Sequence, residues 1–186
     1  TRSTEWSAGA YNEHEQLIAK REVSRTTGTD SAGNAVDYTN TLEQTDIRYN
    51  RCGLVAGYRE TSTSAAAPEL ITVTAFGDVV YDAYGHQAGF TRVSTERHIS
   101  DLSILNNVTR TLRSDAVYEQ GLLRGYVETV EQQGSGEGEE LQISTRIERF
   151  DMEYDDTMRL LSYTQRMQTG SEPDRLRIST WQAGGY

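Results

Sequence analysis

The stretch "DVVYDAYGHQAGF", residues 78–90, decides how the rest of the chain is read. Two β-rich arms flank "YDAYG", where Asp and Gly supply the chemistry of a tight turn. The frame recurs. "DIRYNRCGLVAGY" (46–58) places Asp, Tyr, two glycines and an aromatic at the same offsets. "DAVYEQGLLRGY" (115–126) repeats it with one residue fewer in the turn, and "DMEYDDTMRLLSY" (151–163) keeps Asp151, Tyr154 and Tyr163 without either glycine. A motif written four times in 186 residues marks a structural unit rather than a catalytic one, so the repeat comes first.

The tyrosine before each turn sets the register: Tyr11, Tyr49, Tyr81, Tyr118 and Tyr154, spaced 32 to 38 residues apart, with "GAYNEHEQLIAKREV" the most degenerate copy. Units begin near residues 8, 46, 78, 115 and 151. The two ends also match. "RSTEWSAGAY" (2–11) and "RISTWQAGGY" (177–186) share Arg, Trp, Ala, Gly and Tyr at equal distances, so Trp6 aligns with Trp181 and Tyr11 with Tyr186. Residues 177–186 thus read as the start of a next period, and the chain as about one period of a longer array.

Each unit reads as two strands and two turns. "ELITVTAFGDVVYD" is rich in β-branched residues, and simple alternation sets Val79, Ala75, Val73 and Ile71 on the face of Tyr81, with Phe76, Thr74 and Thr72 opposite. Gly53, Gly85 and Gly121 stand where the turns need positive φ. Pro68 and Pro173 fall in the looser connections, outside the expected strands. A competing pattern exists: Ile147, Phe150, Tyr154, Met158 and Leu161 are spaced for one helical face. The alignment with 78–90 favours strands there.

Composition narrows the function. The net charge of −10 disfavours nucleic acid and anionic membrane, because phosphate recognition needs clustered cations. No apolar run reaches the roughly 18 residues of a spanning helix, so no membrane insertion is expected. Lys20 is the one lysine among eighteen basic residues; arginine's planar fork suits lateral pairing with carboxylates on a sheet. Apolar residues are only 35% of the chain, yet eleven tyrosines and regular β-branched residues argue for order.

Little here suggests catalysis, and no enzyme activity or cofactor is expected. Cys52 is the single cysteine, and His14, His86 and His98 lack companions at ligand spacing. Asp46, Asp78, Asp115 and Asp151 each precede a register tyrosine by three residues; a ladder of salt bridges to neighbouring arginines is expected in preference to a row of calcium ligands. The second aromatics, Tyr58, Phe90, Tyr126 and Tyr163, are expected to pack as cross-strand pairs.

The element Tyr81-Asp82 followed by Gly85 resembles the YD repeats of the RHS and teneurin family. Tyr49, Asn50 and Gly53 match with Asn for Asp, while the Tyr118 copy has Glu119 and an early Gly121. The Tyr154 copy has Asp155, but Met158 stands where the glycine belongs. That resemblance implies a long antiparallel strip coiled into a shell. The chain is similar also to repetitive passages of giant bacterial surface and filament proteins, and either likeness implies an extracellular or cell-surface scaffold.

The expectation is therefore an all-β protein, an antiparallel β-meander of about five hairpin repeats of ~35 residues wound into a solenoid, tube or fibre. Its function would be structural, as part of an extracellular filament, sheath or adhesin stalk whose partner is itself. Glycan binding through tyrosine faces, and an RHS-like shell enclosing a toxin domain, are the alternatives.

Overall fold

The computed structural model describes residues 2–29, 31–101, 105–136 and 139–184. Eleven strands follow one another: β1 (Arg2–Tyr11), β2 (Leu17–Thr29), β3 (Ala35–Tyr49), β4 (Val55–Ser64), β5 (Ala67–Tyr81), β6 (Gln87–His98), β7 (Asn106–Glu119), β8 (Leu122–Gly136), β9 (Glu139–Tyr154), β10 (Leu160–Thr169) and β11 (Glu172–Gln182). They form one sheet in sequence order, an open antiparallel meander with β1 and β11 at its two ends. No described residue is helical. The span 141–167 is strand β9, a turn and strand β10, paired from Thr145↔Thr169 to Tyr154↔Leu160.

The interior is thin. The chain keeps 12503 Å² of accessible surface, about 1.4 times the ~8,900 Å² of a compact monomer of this mass. No described side chain is fully buried. By contacts the chain divides into two compact units: residues 1–77, 94–108 and 134–139, and residues 78–93, 109–133 and 140–186. In the first, Ile47, Ser24 and Thr74 are the most sheltered side chains; in the second, Tyr126 and Met152. Each is 5% to 8% exposed.

Simple alternation fails on the strand that carries the register tyrosine in four of the repeats. Asp46, Asp78, Asp115 and Asp151 all have left-handed backbones, with φ of 52°, 50°, 55° and 55°. An L-residue there extends one strand by a residue against its partner and forms a bulge. On β3 the register jumps from Thr45↔Arg59 to Arg48↔Gly57, so Asp46 and Ile47 together face Tyr58. On β9 it jumps from Phe150↔Thr164 to Glu153↔Ser162, so Asp151 and Met152 face Tyr163.

The bulge inserts a step of three into a period of two. On β3 the sheltered set is Leu42, Gln44, Ile47 and Tyr49; on β9 it is Ile147, Arg149, Met152 and Tyr154. The competing helical pattern over 141–167 does not follow this face: Phe150 alternates with Arg149, and Met158 stands 73% exposed in the turn. The step of three also corrects the faces expected for β5: Thr74 is 8% exposed and Phe76 half-buried, whereas Ala75 is exposed.

The prolines need a correction too. Pro68 is the second residue of β5 and Pro173 the second residue of β11. Both sit where pairing is interrupted, between Ser64↔Ala67 and Thr63↔Ile71 in one case and between Thr169↔Glu172 and Gln168↔Leu176 in the other. A residue without an N–H is tolerated in such gaps.

Candidate functional site

The hairpin tips are built alike in four copies. Asn12, Asn50, Asp82 and Asp155 each accept the backbone N–H three residues on through their carbonyl, at 2.9 to 3.2 Å. Their side-chain Oδ1 accepts two more N–H groups, from residues two and four along: His14 and Gln16, Cys52 and Leu54, Tyr84 and His86, Thr157 and Arg159. This is an Asx turn closing a hairpin loop. It explains why the residue after the register tyrosine is Asp or Asn: the turn needs a short side chain carrying an acceptor.

The left-handed residue of each loop follows at Glu15 (φ 60°), Gly53 (77°), Gly85 (87°) and Met158 (63°). The "missing" glycine of the fourth copy is thus replaced by a strained methionine, 73% exposed. The Tyr118 copy turns differently. Gln120 and Gly121 both have positive φ, 53° and 80°, as a two-residue type I′ turn requires.

Behind each tip, the register tyrosines tie one hairpin to the previous one. Tyr49 Oη donates to the Leu17 carbonyl at 2.9 Å, Tyr118 to Gln87 at 3.1 Å and Tyr154 to Leu123 at 2.9 Å. In each case the acceptor lies at the start of the preceding return strand. Burial pushes the phenols of Tyr81, Tyr118 and Tyr154 up. Tyr11, at the end of β1, is 55% exposed, and Tyr186 lies outside the described residues.

The second aromatics form a row with the residues five places before the register tyrosines. In the first unit, Tyr58 stacks on Phe76 with ring centroids 5.0 Å apart. In the second, the row is continuous across five consecutive contacts. Arg113 lies over Phe90 (5.0 Å) and Tyr126 (4.3 Å), Arg149 over Tyr126 (5.6 Å) and Tyr163 (5.1 Å), and Trp181 stacks on Tyr163 (5.4 Å). Arg149 also donates to the Tyr126 oxygen at 2.6 Å, and Arg113 pairs with Glu128 at 3.0 Å. Rings alternating with guanidinium planes gain quadrupole attraction in addition to area. Trp6 holds the equivalent place on β1 and is 54% exposed.

One small residue completes the arrangement. Gly57, Gly89 and Gly125 precede the second aromatics, and a Cβ built there would lie 2.7, 2.9 and 2.7 Å from the carbonyl oxygens of Phe76, Arg113 and Arg149. These carbonyls belong to the next strand, just ahead of its bulge aspartate. Ala19 and Ser162 occupy the same offset in the other copies. The bulge aspartates therefore act through the backbone. Among the described residues none ion-pairs with Asp46, Asp78, Asp115 or Asp151; the one side-chain bond is from Ser114 Oγ to Asp115 at 2.9 Å. Cross-strand ion pairs occur instead at Arg25–Asp37, Arg21–Glu43 and Arg110–Glu131.

A separate cleft of about 620 Å³ opens at the third hairpin, lined by Asp82, Tyr84, His86, Tyr118, Gln120 and Gly121 among others. His86 stacks on Tyr118 at 4.6 Å and bonds Asp82 through Nδ1 at 2.8 Å. Desolvation raises the Asp82 carboxyl, but bonds from the His86 ring and from the His86 and Tyr84 backbones outweigh it and hold the pKa below the usual carboxylate range. Among the described residues no three His, Cys, Asp or Glu side chains converge as metal ligands. No protein-family model, curated protein or solved structure matches the chain.

Proposed function

We propose that the chain is a structural repeat segment of a long secreted protein that builds an extracellular filament, sheath or adhesin stalk. The observation that carries this reading is where each hairpin finds its burial. Tyrosine bonds, stacked rings and close-packed glycines all join a hairpin to its neighbour in the sheet, and no described side chain is fully buried. An architecture of that kind is stabilised by adding copies rather than by closing a private core. Winding of the strip into a tube or an RHS-like shell belongs to the same proposal, and so does a cell-surface location. Electron microscopy of a recombinant protein carrying several tandem copies tests it. Regular filaments or tubes support the scaffold; dispersed, unconnected globules sink it.

A glycan-binding module is the second reading, favoured by Tyr84, which is 87% exposed at the mouth of the Asp82–His86 cleft. An aromatic face beside acceptor groups is suited to a sugar ring. Binding to a glycan array that disappears in Tyr84→Ala would support this reading, and an array with no binding would remove it.

A further inference from the structure

The two end strands are the same strand by sequence, and each has what the other lacks. β11 pairs with β10, and Trp181 rests on Tyr163. Its counterpart β1 pairs with β2 in the register Glu5↔Val23, Trp6↔Glu22 and Ala8↔Lys20. β1 thus uses the edge that β11 leaves open, and β11 uses the edge that β1 leaves open.

Two aligned glycines make the comparison specific. A Cβ at Gly9 would lie 2.7 Å from the Ala19 carbonyl oxygen and 3.0 Å from the Ala19 Cβ, so the close approach of β2 requires glycine there. Gly184 is its equivalent, and a Cβ at Gly184 would meet nothing within 4 Å. Among the described residues nothing gives Gly184 a steric reason to be glycine. It acquires one when a strand like β2 lies alongside β11.

We infer that the outer edge of β11 is the seat for β2 of a second copy of this chain, in the register that β1 uses. The expected partners are Thr180↔Val23, Trp181↔Glu22 and Ala183↔Lys20, with β11 taking the place of the second copy's own β1. This deepens the scaffold reading and rests on it, because it names the strand through which periods join. An exposed strand edge offers unpaired N–H and C=O groups to such a partner. Head-to-tail pairing of two different edges builds an open filament where the rotation between copies does not close into a ring.

Disulfide trapping between full-length chains tests the register. One chain carries Thr180→Cys and the other Val23→Cys, both with Cys52→Ser to remove the native thiol. Directly opposed antiparallel residues lie within bridging distance. The heterodimer is expected under mild oxidation. Adding Gly184→Val to the first chain should lower its yield about tenfold, since the incoming Ala19 carbonyl would meet the new side chain. The melting temperature of that variant should not change, because its site is open. A self-linked Thr180→Cys dimer as the main product, no cross-link, or equal yield with Gly184→Val would each overturn the inference. Filaments of tandem copies that form regardless of Gly184→Val would leave the scaffold standing and remove only this joint.

Discussion

The hairpin tips and the bulges three residues before the register tyrosines obey different rules. At the tips, Asn12 and Asn50 make the same bonds as Asp82 and Asp155, and Glu15 and Met158 adopt the left-handed backbone that Gly53 and Gly85 adopt elsewhere. At the bulges the left-handed residue is Asp in all four copies, and three of the four face a glycine on the preceding strand. A tip solves its geometry locally, with one side-chain oxygen, and stands in solvent. A bulge is met by the backbone of the preceding hairpin, so its surroundings cannot vary independently. Tolerance follows contact rather than motif.

That contrast can be broken most directly at the bulge. Gly125→Val should cost about 3 kcal/mol, because its Cβ would lie 2.7 Å from the Arg149 carbonyl oxygen and β8 would have to leave β9. Chemical denaturation measures it; a loss below that of the tip substitutions would remove the distinction. Next comes the acceptor at a tip. Asn50→Ala should cost about 1–2 kcal/mol, as loss of a capping oxygen does, while Asn50→Asp should be nearly neutral. Equal losses would mean that the side-chain identity, not the acceptor, matters. A smaller effect of opposite sign is expected at Met158. Met158→Gly should stabilise by about 1 kcal/mol by relieving a left-handed non-glycine residue, and Gly53→Met should lose a similar amount.

The smallest effect is electrostatic. Asp155 is held below the usual carboxylate range by bonds from the Arg159 backbone and Thr157 hydroxyl, and then from the Arg159 side chain and Thr157 N–H. Asp82 is lowered as well. A depressed folded-state pKa adds stability that is present above the unfolded carboxylate pKa of ~4 and fades as pH falls toward the folded value. Acid should therefore loosen the Asp82 and Asp155 tips and leave the Asn12 and Asn50 tips unaffected. Hydrogen exchange at Gly85 and Gly53, compared between neutral pH and pH 3, reads the difference. Once intrinsic rates are corrected, equal protection at both pH values at Gly85 would contradict it.

Much of the fold was legible in the repeated Tyr, Asp/Asn and Gly positions, since turn chemistry is carried by single residues at single places. The strands follow because β-rich arms lie between those turns, and the antiparallel meander follows from tandem hairpins. The bulge was hidden for a physical reason. An aspartate three residues before a tyrosine reads as a carboxylate seeking a cation, and nothing in the letter D reports a positive φ. Missing it displaced Thr74 and Phe76 to the wrong face. The arginine–aromatic row was hidden differently. The place five before the register tyrosine is filled by Trp6, Gln44, Phe76, Arg113, Arg149 and Trp181; the last four stack on second aromatics, and the six share a position but no chemical type. The second glycines were visible as repeats, yet the carbonyls that demand them lie on another strand.

The central claim is that hairpins are stabilised by their neighbours, and copy number tests it most directly. The chain should be prepared as one, two and three tandem copies and its unfolding followed in denaturant. The account predicts that the midpoint rises from one copy to two, and again to three, as unsupported end strands become a smaller share of the sheet. An unchanged midpoint and independent unfolding of each copy would show that the 186 residues hold their own core, and would contradict the account.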